Sequence, residues 1–460
     1  MVVDRRGRIL AQAERRIATK RIGTDKVEHP AAALLRSLRQ AATAAVASLP
    51  ASVEIEAAGL ATQRSSIACW DRRDGRPLSP VLSWQDRRAA RRVTRLASEA
   101  SWIEDITGLK LSAHYGATKL EWCLKHLPAV QRAEREGQLA AGPLASFALA
   151  GLLEGCPCFA DPVNGARTQL MDIRRGEWSE RLCELFRVPR QVLPACVGNR
   201  HPFGHLQAAG RRIPFTVLIG DQPAALFASG EPAPDVAYVN LGTGAFVQCL
   251  SERRVPDLLQ GLLWRDARQT LYALEGTVNG TAAALSAVGK QLKVSDAHMM
   301  RALPAWLDDA GRLPLFLNGV GGLGAPYWRA GFRSRFIGRG DDGRKLAAVV
   351  ESIVFLLLEN LERMRTVAPG LRQLQLSGGL AQLDGLCQRL ADLSMLPVVR
   401  PELHEATALG LARLLGSDSP PLGGVRRFEP RVDASLEARR RRWQQAMHGA
   451  LQSPQKKRPG

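Results

Sequence analysis

A chain of 460 residues exceeds what one compact core usually organises, so two domains are expected. Its 45% hydrophobic and 23% charged residues are ordinary for a globular protein and exclude a disordered or collagen-like chain. The formal charge of +19 invites a nucleic-acid or anionic-membrane reading, but the basic residues are spread along the whole chain and only 5% of residues are aromatic. No specific nucleic acid and no membrane is therefore expected as a partner, only a general attraction for polyanions, ATP included. Met1-Val2-Val3-Asp4-Arg5-Arg6 leads into charged segments rather than an apolar signal core. The longest uncharged apolar stretch, Ala140–Leu153, is interrupted by Gly142 and Pro143 and is too short to span a bilayer. Eight cysteines are scattered, with only Cys156-Pro157-Cys158 close together and no partner pair at zinc spacing. They read as thiols of a cytoplasmic protein.

In chain order, Val2-Val3-Asp4 reads as the end of a short strand, followed by the turn Arg5-Arg6-Gly7 and a second strand from Arg8 to about Ala13. His29-Pro30 opens a helix, since Leu34, Leu35, Leu38, Ala42 and Val46 recur at helical spacing. Val53–Leu60 is a strand, and Ser66–Trp70 pairs with Leu78–Trp84 across the turn Asp71-Arg72-Arg73-Asp74-Gly75. Helices are expected over Arg87–Ser98 and Thr118–His126. Phe215–Gly220 is a buried strand ending in an exposed Asp221. A Gly/Pro-punctuated stretch at Gly230–Pro234 marks a domain boundary.

The second half repeats the scheme. Val236–Leu241, a glycine turn and Ala245–Leu250 form a hairpin. Leu346–Met364 is a long helix, Leu374–Leu376 a strand, and Leu383–Leu393 a helix. The basic runs Arg439–Arg442 and Gln455-Lys456-Lys457-Arg458 read as a solvated helix face and a frayed end. Strand–helix alternation in both halves implies an α/β architecture with two similar lobes and a cleft between them.

Two glycine-rich turns each follow an apolar strand: Gly242-Thr243-Gly244 and Ser377-Gly378-Gly379. Glycine permits positive φ and a close approach of backbone N–H groups to an anion. With Asp221-Gln222 presented just past a third strand, the pattern points to a nucleotide phosphate facing a general base. On the residues alone, Trp84 and Phe246 read equally as core aromatics, Arg64 as a surface arginine, and Asp221 as the N-cap of a helix Gln222–Phe227.

Several blocks then match a family in order. Thr62-Gln63-Arg64, Ser83-Trp84-Gln85-Asp86-Arg87-Arg88, Gly220-Asp221-Gln222-Pro223-Ala224-Ala225-Leu226-Phe227 and Gly242-Thr243-Gly244-Ala245-Phe246 resemble the FGGY carbohydrate kinases. So do Gly322-Leu323-Gly324-Ala325-Pro326-Tyr327-Trp328, Gly378-Gly379, and Arg400-Pro401-Glu402 with Thr407-Ala408-Leu409-Gly410. The resemblance runs from Val2 to about Trp443. It implies two ribonuclease-H-like (actin-like ATPase) lobes with a central cleft: residues 1–230 a polyol-binding lobe, 231–430 an ATP-binding lobe, and 431–460 a basic C-terminal helix and tail.

The resemblance also implies roles. The reaction would be ATP-dependent phosphorylation of a hydroxyl of a small polyol or sugar, with Mg2+. Asp221 would be the general base and would meet the metal only through water. Arg64, Gln222 and position 65 would face polyol hydroxyls, with Trp84, Tyr115 or His114, and Phe246 around the carbon face. Gly242, Thr243, Gly244, Ala282, Ser286, Gly378, Gly379 and Leu383 would surround the nucleotide. A homo-oligomer is expected, as is common in the family.

Departures from the family pattern bear on both substrates. A polyol-contacting Glu is Ser65 here, a substrate-side Tyr aligns with His114 beside Tyr115, and the Asp before the paired glycines is Ser377. A usual Gly and Gln align with Ala282 and Ser286, and an Asn aligns with Leu383. Losing a charged acceptor at Ser65 removes a discriminating hydrogen bond, which puts the identity of the polyol in question. In the family, a strand and an Asp-x-Gly-Thr loop, ending with an Arg, precede the strand that begins here at Met1-Val2-Val3. Two expectations follow: a start lying upstream of Met1, or a catalytically impaired relative that binds a ligand or regulates a partner.

Overall fold

Strands and helices alternate in both halves of the chain, and each half builds its own sheets around its own core. The structure, a computed structural model, describes residues 1–308, 313–402, 405–418 and 424–452. The basic run Gln455-Lys456-Lys457-Arg458 lies outside the described residues. Two units emerge. The first holds residues 1–232, 260–272 and 405–418, and the second 233–259, 273–402 and 424–452. The linear reading of 231–430 as one lobe thus differs from the division in space, which returns two later segments to the first unit.

In the first unit, β1 (Val2–Val3) pairs antiparallel with β2 (Ile9–Ala11). A five-stranded antiparallel sheet follows from β3 (Lys20–Ile22), β4 (Lys26–His29), β6 (Ile67–Asp71), β7 (Val81–Leu82) and β8 (Leu139–Pro143), in the order β3-β4-β7-β6-β8. A second sheet joins β5 (Ala58–Thr62), β9 (Arg200–Ala208) and β10 (Arg211–Gly220) in the order β9-β10-β5. The helix Ala31–Ala47 starts after Pro30, whose fixed φ suits a helix entry, and buries Leu34, Leu35 and Val46. The expected strand Val53–Leu60 is displaced to Ala58–Thr62, because Val53 closes a turn onto Pro50. The expected helix Arg87–Ser98 is reduced to Ala90–Arg95 and a 3-10 turn at Ala97–Glu99. Its first residues are held elsewhere, the Arg87 N–H donating to the Asp25 carbonyl.

The apolar stretch Ala140–Leu153 divides at Gly142-Pro143 into β8 and the buried helix Leu144–Leu152. No helix among the described residues is long and apolar enough to cross a membrane. All eight cysteines are free thiols.

The register of the parallel pair β10–β5 positions the first half-site. Gly220 sits opposite Thr62, so the residues following both strands emerge side by side. Ligand sites in open α/β sheets form beyond such carboxyl ends.

A seven-stranded sheet, most of whose residues belong to the second unit, contains β11 (Val236–Leu241), β12 (Ala245–Leu250), β13 (Leu259–Arg265), β14 (Thr270–Val278), β15 (Gln373–Ser377), β16 (Val398–Pro401) and β17 (Val425–Phe428). Their order is β13-β14-β12-β11-β15-β16-β17. The helix Asp342–Arg365 is buried along nearly its whole length beneath this sheet's core, with Asp341 capping it by accepting the Arg344 N–H. The C-terminal helix Ala434–Gln452 packs Leu436, Trp443 and Met447 into the same core, and the Trp443 indole donates to the Phe316 carbonyl at 3.0 Å.

The Arg439–Arg442 run is only half a solvated face. Arg439 pairs with the buried Glu351 at 2.8 Å, and Arg440 reaches Glu362 at 2.5 Å, while Arg441 and Arg442 are exposed. The amphipathic turn of the helix brings two of four consecutive arginines onto the acidic side of Asp342–Arg365, which no local pattern announces.

Candidate active site

In the first unit, the chain leaves β5 through Gln63-Arg64-Ser65. Ser65 adopts a left-handed backbone, φ 63°, and its hydroxyl is buried with no hydrogen-bond partner among the described residues. The neighbouring Ser66 accepts the Trp84 N–H at 3.0 Å, tying this turn to the Ser83–Arg88 turn. That second turn is organised by Asp86, which is fully buried, accepts the Val27 N–H at 2.7 Å and pairs with Arg88 at 2.7 Å. Arg88 also reaches Glu28 at 2.6 Å.

Lys119 joins these turns to a third. It lies on the helix Gly116–His126, completely buried, and its ammonium donates to the carbonyls of Ser65 at 3.0 Å, Ser83 at 2.8 Å and His114 at 2.7 Å. Burial pushes its pKa down to about 7, with the Asp86 carboxylate pulling the other way. The Trp84 ring, 39% exposed, meets the His114 ring edge-on at 5.7 Å, and His114 meets Tyr115 at 5.0 Å. Trp84 is therefore not a core aromatic. Burial, followed by the charges of Lys119, Arg87, Arg167 and Arg64, holds His114 well below the usual imidazole pKa, so it stands neutral.

Across the β10–β5 register, the Arg64 guanidinium donates to the side-chain carbonyl of Gln222. Gly220 makes this possible, because a Cβ there would lie 2.6 Å from Arg64 Cγ. Asp221 is the first residue of the helix Asp221–Leu226, with Gly220 in the N-cap position, and its carboxylate accepts the Gln222 N–H at 2.8 Å. The Asp221 carbonyl accepts the Thr407 hydroxyl at 3.2 Å. A Cβ on Gly410 would overlap the Ala224 carbonyl, so the helix Ala406–Leu414 can seat against the Asp221 helix only with glycine there.

The second unit carries the glycine turns. Gly242 N–H donates to the Gly244 carbonyl at 2.9 Å, closing the turn tightly. The Gly242 and Thr243 carbonyls accept N–H groups of Thr281, Ala282 and Ala283, and the Thr281 hydroxyl reaches Gly242 O at 2.6 Å. The loop thereby caps the helix Ala282–Gln291 and leaves the Thr243 side chain exposed. Ala282 and Ser286 lie one turn apart on that helix, both half-buried. Phe246, on β12 opposite Asn240, is also half-buried.

Beside this turn runs the second one. Asn240 and Ser377 are in register on the parallel strands β11 and β15, and the Asn240 amide donates to the Ser377 hydroxyl at 3.0 Å. Gly378 has φ +93°, and a Cβ on it would lie 2.5 Å from the Leu241 carbonyl oxygen. Gly379 faces open space, with nothing within 4 Å of a built Cβ. Leu383 is buried in the hydrophobic core, so it offers its backbone alone to any ligand. Arg400 braces the turn from behind, donating to the Ala381 carbonyl at 2.6 Å and pairing with Asp384 at 3.1 Å.

The two glycine turns thus form a continuous rim at the carboxyl ends of adjacent parallel strands, suited to a phosphate chain. Among the described residues, no group of three or more His, Cys, Asp or Glu side chains converges as a metal site.

Asp86, Arg400, Thr407 and Gly410 lie in blocks that carry the family resemblance but receive no role from it, and Lys119 lies in none of those blocks. A lysine among Ala117, Thr118 and Leu120 on a predicted helix is the only faint signal for Lys119.

Among solved structures, that of Plasmodium falciparum glycerol kinase with ADP superposes with a TM-score of 0.88 at 23% identity, covering 98% of this chain and 96% of that one. The fold is that of the actin-like ATPases. Residues 1–228 match the N-terminal domain of the FGGY family of carbohydrate kinases, and residues 237–417 its C-terminal domain. The chain belongs to that family, and is a kinase of the sugar and sugar-alcohol class. A glycerol kinase of Aromatoleum aromaticum is 34% identical, with 98% of this chain and 96% of that protein aligned. One from a Geobacter species is 34% identical over 87% and 86% of the two chains.

Proposed function

We propose that the protein transfers the γ-phosphoryl group of ATP to a hydroxyl of a small polyol or sugar, with Asp221 as general base. The carrying observation is the β10–β5 register, which sets the Asp221 carboxylate next to the Arg64–Gln222 pair. Arg64 and Gln222 would orient the acceptor by its hydroxyls, and the half-exposed Trp84 would cover its carbon face. Asp221 takes the hydroxyl proton as the phosphorus–oxygen bond forms; its position is held by Thr407 and by the close helix contact at Gly410.

Phosphoryl transfer depends mainly on positioning and charge neutralisation. Gly242, Thr243 and Gly244 would hold the phosphates, Gly378 and Gly379 would admit the adenosine close to the backbone, and Ala282 and Ser286 would flank it. Mg2+ neutralises phosphate charge when bound. Self-association and a cytoplasmic location accompany this reading.

The test is ADP release by the full chain with Mg·ATP over a panel of polyols, pentoses and their acids, beside an Asp221→Asn control. The wild type should exceed the control by about 10²- to 10⁴-fold with at least one acceptor. Turnover no greater than that of Asp221→Asn across the panel would sink the kinase reading in favour of a ligand-binding relative.

A further inference from the structure

A carboxylate that the proposed reaction does not use lies behind the ends of β5 and β10. Asp161 is fully buried and has no ion-pair partner among the described residues. It accepts the Asn164 N–H at 3.0 Å, the Asn164 side-chain amide at 2.8 Å and the Asn199 side-chain amide at 3.1 Å. Each asparagine in turn holds one of the two parallel strands. The hydroxyl of Thr62, the last residue of β5, donates to the Asn164 side-chain carbonyl at 3.3 Å. The Asn199 amide donates to the Leu218 carbonyl of β10 at 2.7 Å, and the Asn199 carbonyl accepts the Leu218 N–H at 2.9 Å. Asn199 has no polar group left over, since its side-chain oxygen accepts the Arg265 N–H at 2.9 Å and its own N–H donates to the Arg265 carbonyl at 2.8 Å. The short helix Pro162–Ala166, capped by Asp161, sets Val163 against β10: a Cβ on Gly220 would lie 3.3 Å from Val163 Cγ1.

Asparagine caps a helix as well as aspartate does, whereas a buried carboxylate without a counter-ion is costly. Only the carboxylate, however, accepts at both oxygens. An amide here would turn its NH2 group toward a donor of Asn164 or Asn199 and leave at least one of the three hydrogen bonds unmade. Burial pushes the Asp161 pKa up to about 6, with its hydrogen bonds pulling the other way, so the group is still ionised at neutral pH.

We propose that Asp161 is a positioning residue for the acceptor half-site, tying the ends of β5 and β10 together through Asn164 and Asn199 so that Arg64, Gln222 and Asp221 emerge in fixed register. Calling it the acceptor half-site rests on the kinase reading; the tether itself does not. Thr62 stands two residues before Arg64, and Leu218 three before Asp221, so a loosened strand end displaces the guanidinium or the carboxylate. A displacement of about 1 Å costs on the order of 10²-fold in rate.

Hydrogen exchange and kinetics on the full chain test this together. Asp161→Asn should speed amide exchange in residues 61–66 and 217–222 by at least about tenfold, while residues 119–126 of the same unit exchange as in wild type. Unchanged exchange at the strand ends overturns the proposal, as does equal acceleration throughout the unit, which a merely structural role would give. For an acceptor that the wild type phosphorylates, Asp161→Asn should lower kcat/KM about tenfold or more, with the KM for ATP unchanged. Thr62→Val cuts one link only and should show a smaller loss of the same kind, which Thr62→Ser restores. Should Asp161→Asn lack a cooperative melting transition, the Thr62 pair decides: equal exchange and kinetics in the two variants overturn the proposal. Local loosening in a chain whose wild type releases no ADP with any acceptor overturns the kinase reading alone. Wild-type turnover with unchanged kcat and KM in Asp161→Asn overturns this inference alone.

Discussion

The Lys119 ammonium donates to the His114 carbonyl at 2.7 Å, and the same group binds the carbonyls of Ser65 and Ser83. Three turns far apart in sequence are thereby held by one buried cation. Lys119→Met keeps the length and apolar stem but leaves three carbonyls unpaired. A loss of about 2–4 kcal/mol of stability is expected, from about 1–3 kcal/mol per unsatisfied buried group with partial relaxation. Acceptor affinity should fall more than nucleotide affinity, because the disturbed turns carry Ser65, Trp84 and His114. Urea unfolding and a KM for each substrate check both statements.

The same lysine makes stability depend on pH. Its pKa is about 7 in the folded chain, below the ordinary lysine value. Between about pH 7 and pH 10 the unfolded chain therefore binds the extra proton, and stability contributed by this site rises with pH, by at most about 1.4 kcal/mol per unit. Below pH 7 both states are protonated and the slope from this group vanishes. The difference between wild type and Lys119→Met, measured by denaturation across that range, isolates it. A difference that stays flat above pH 7 contradicts the lowered value.

Gly378 and Gly379 separate fold from ligand. Gly378→Ala places a Cβ against the Leu241 carbonyl at φ +93° and should destabilise the second unit by about 1–3 kcal/mol. Gly379→Ala meets open space and should melt like wild type. Any nucleotide affinity lost in Gly379→Ala, read by titration with ATP, then reports the ligand's approach to that backbone.

Gly410→Ala forces the helix Ala406–Leu414 away from the Asp221 helix. About 1–3 kcal/mol of stability should be lost, together with turnover, since Asp221 moves with its helix. Thr407→Ser retains the hydroxyl that reaches the Asp221 carbonyl and should keep activity near wild type, whereas Thr407→Val should lower kcat with little change in KM.

Glu351 is 2% exposed at its side chain and pairs with both Arg389 and Arg439. Glu351→Ala strands two guanidinium groups and should cost about 3–5 kcal/mol. Thermal melting of the variant should show this without altered substrate affinities, because the pair lies within the second unit's helical layer.

Turn chemistry and strand ends were the most legible parts of the chain. The hairpin Val236–Leu241 to Ala245–Leu250 has the bounds its apolar run and glycine turn predict, and Leu374–Leu376 lies inside Gln373–Ser377. These are local decisions, made by glycine φ and by apolar side chains that must be buried. The helix beginning at Thr118 in the sequence reading starts at Gly116 instead, since Gly116 packs against Ile67 and Thr168, a tertiary contact. Leu383, aligned with a nucleotide-side residue, is drawn into the core by its own hydrophobicity.

By itself the sequence determined the two glycine turns, an acid just past a buried strand, and an order of motifs that defines a carbohydrate kinase family, because each depends on a few adjacent residues. Only the tertiary structure decided that Arg64 meets Gln222, that Asn240 meets Ser377, and that Lys119 binds three turns. Those meetings follow from the register of parallel strands and from burial in a packed core. Both are set by side chains distant in the chain, so neither leaves a local pattern to read.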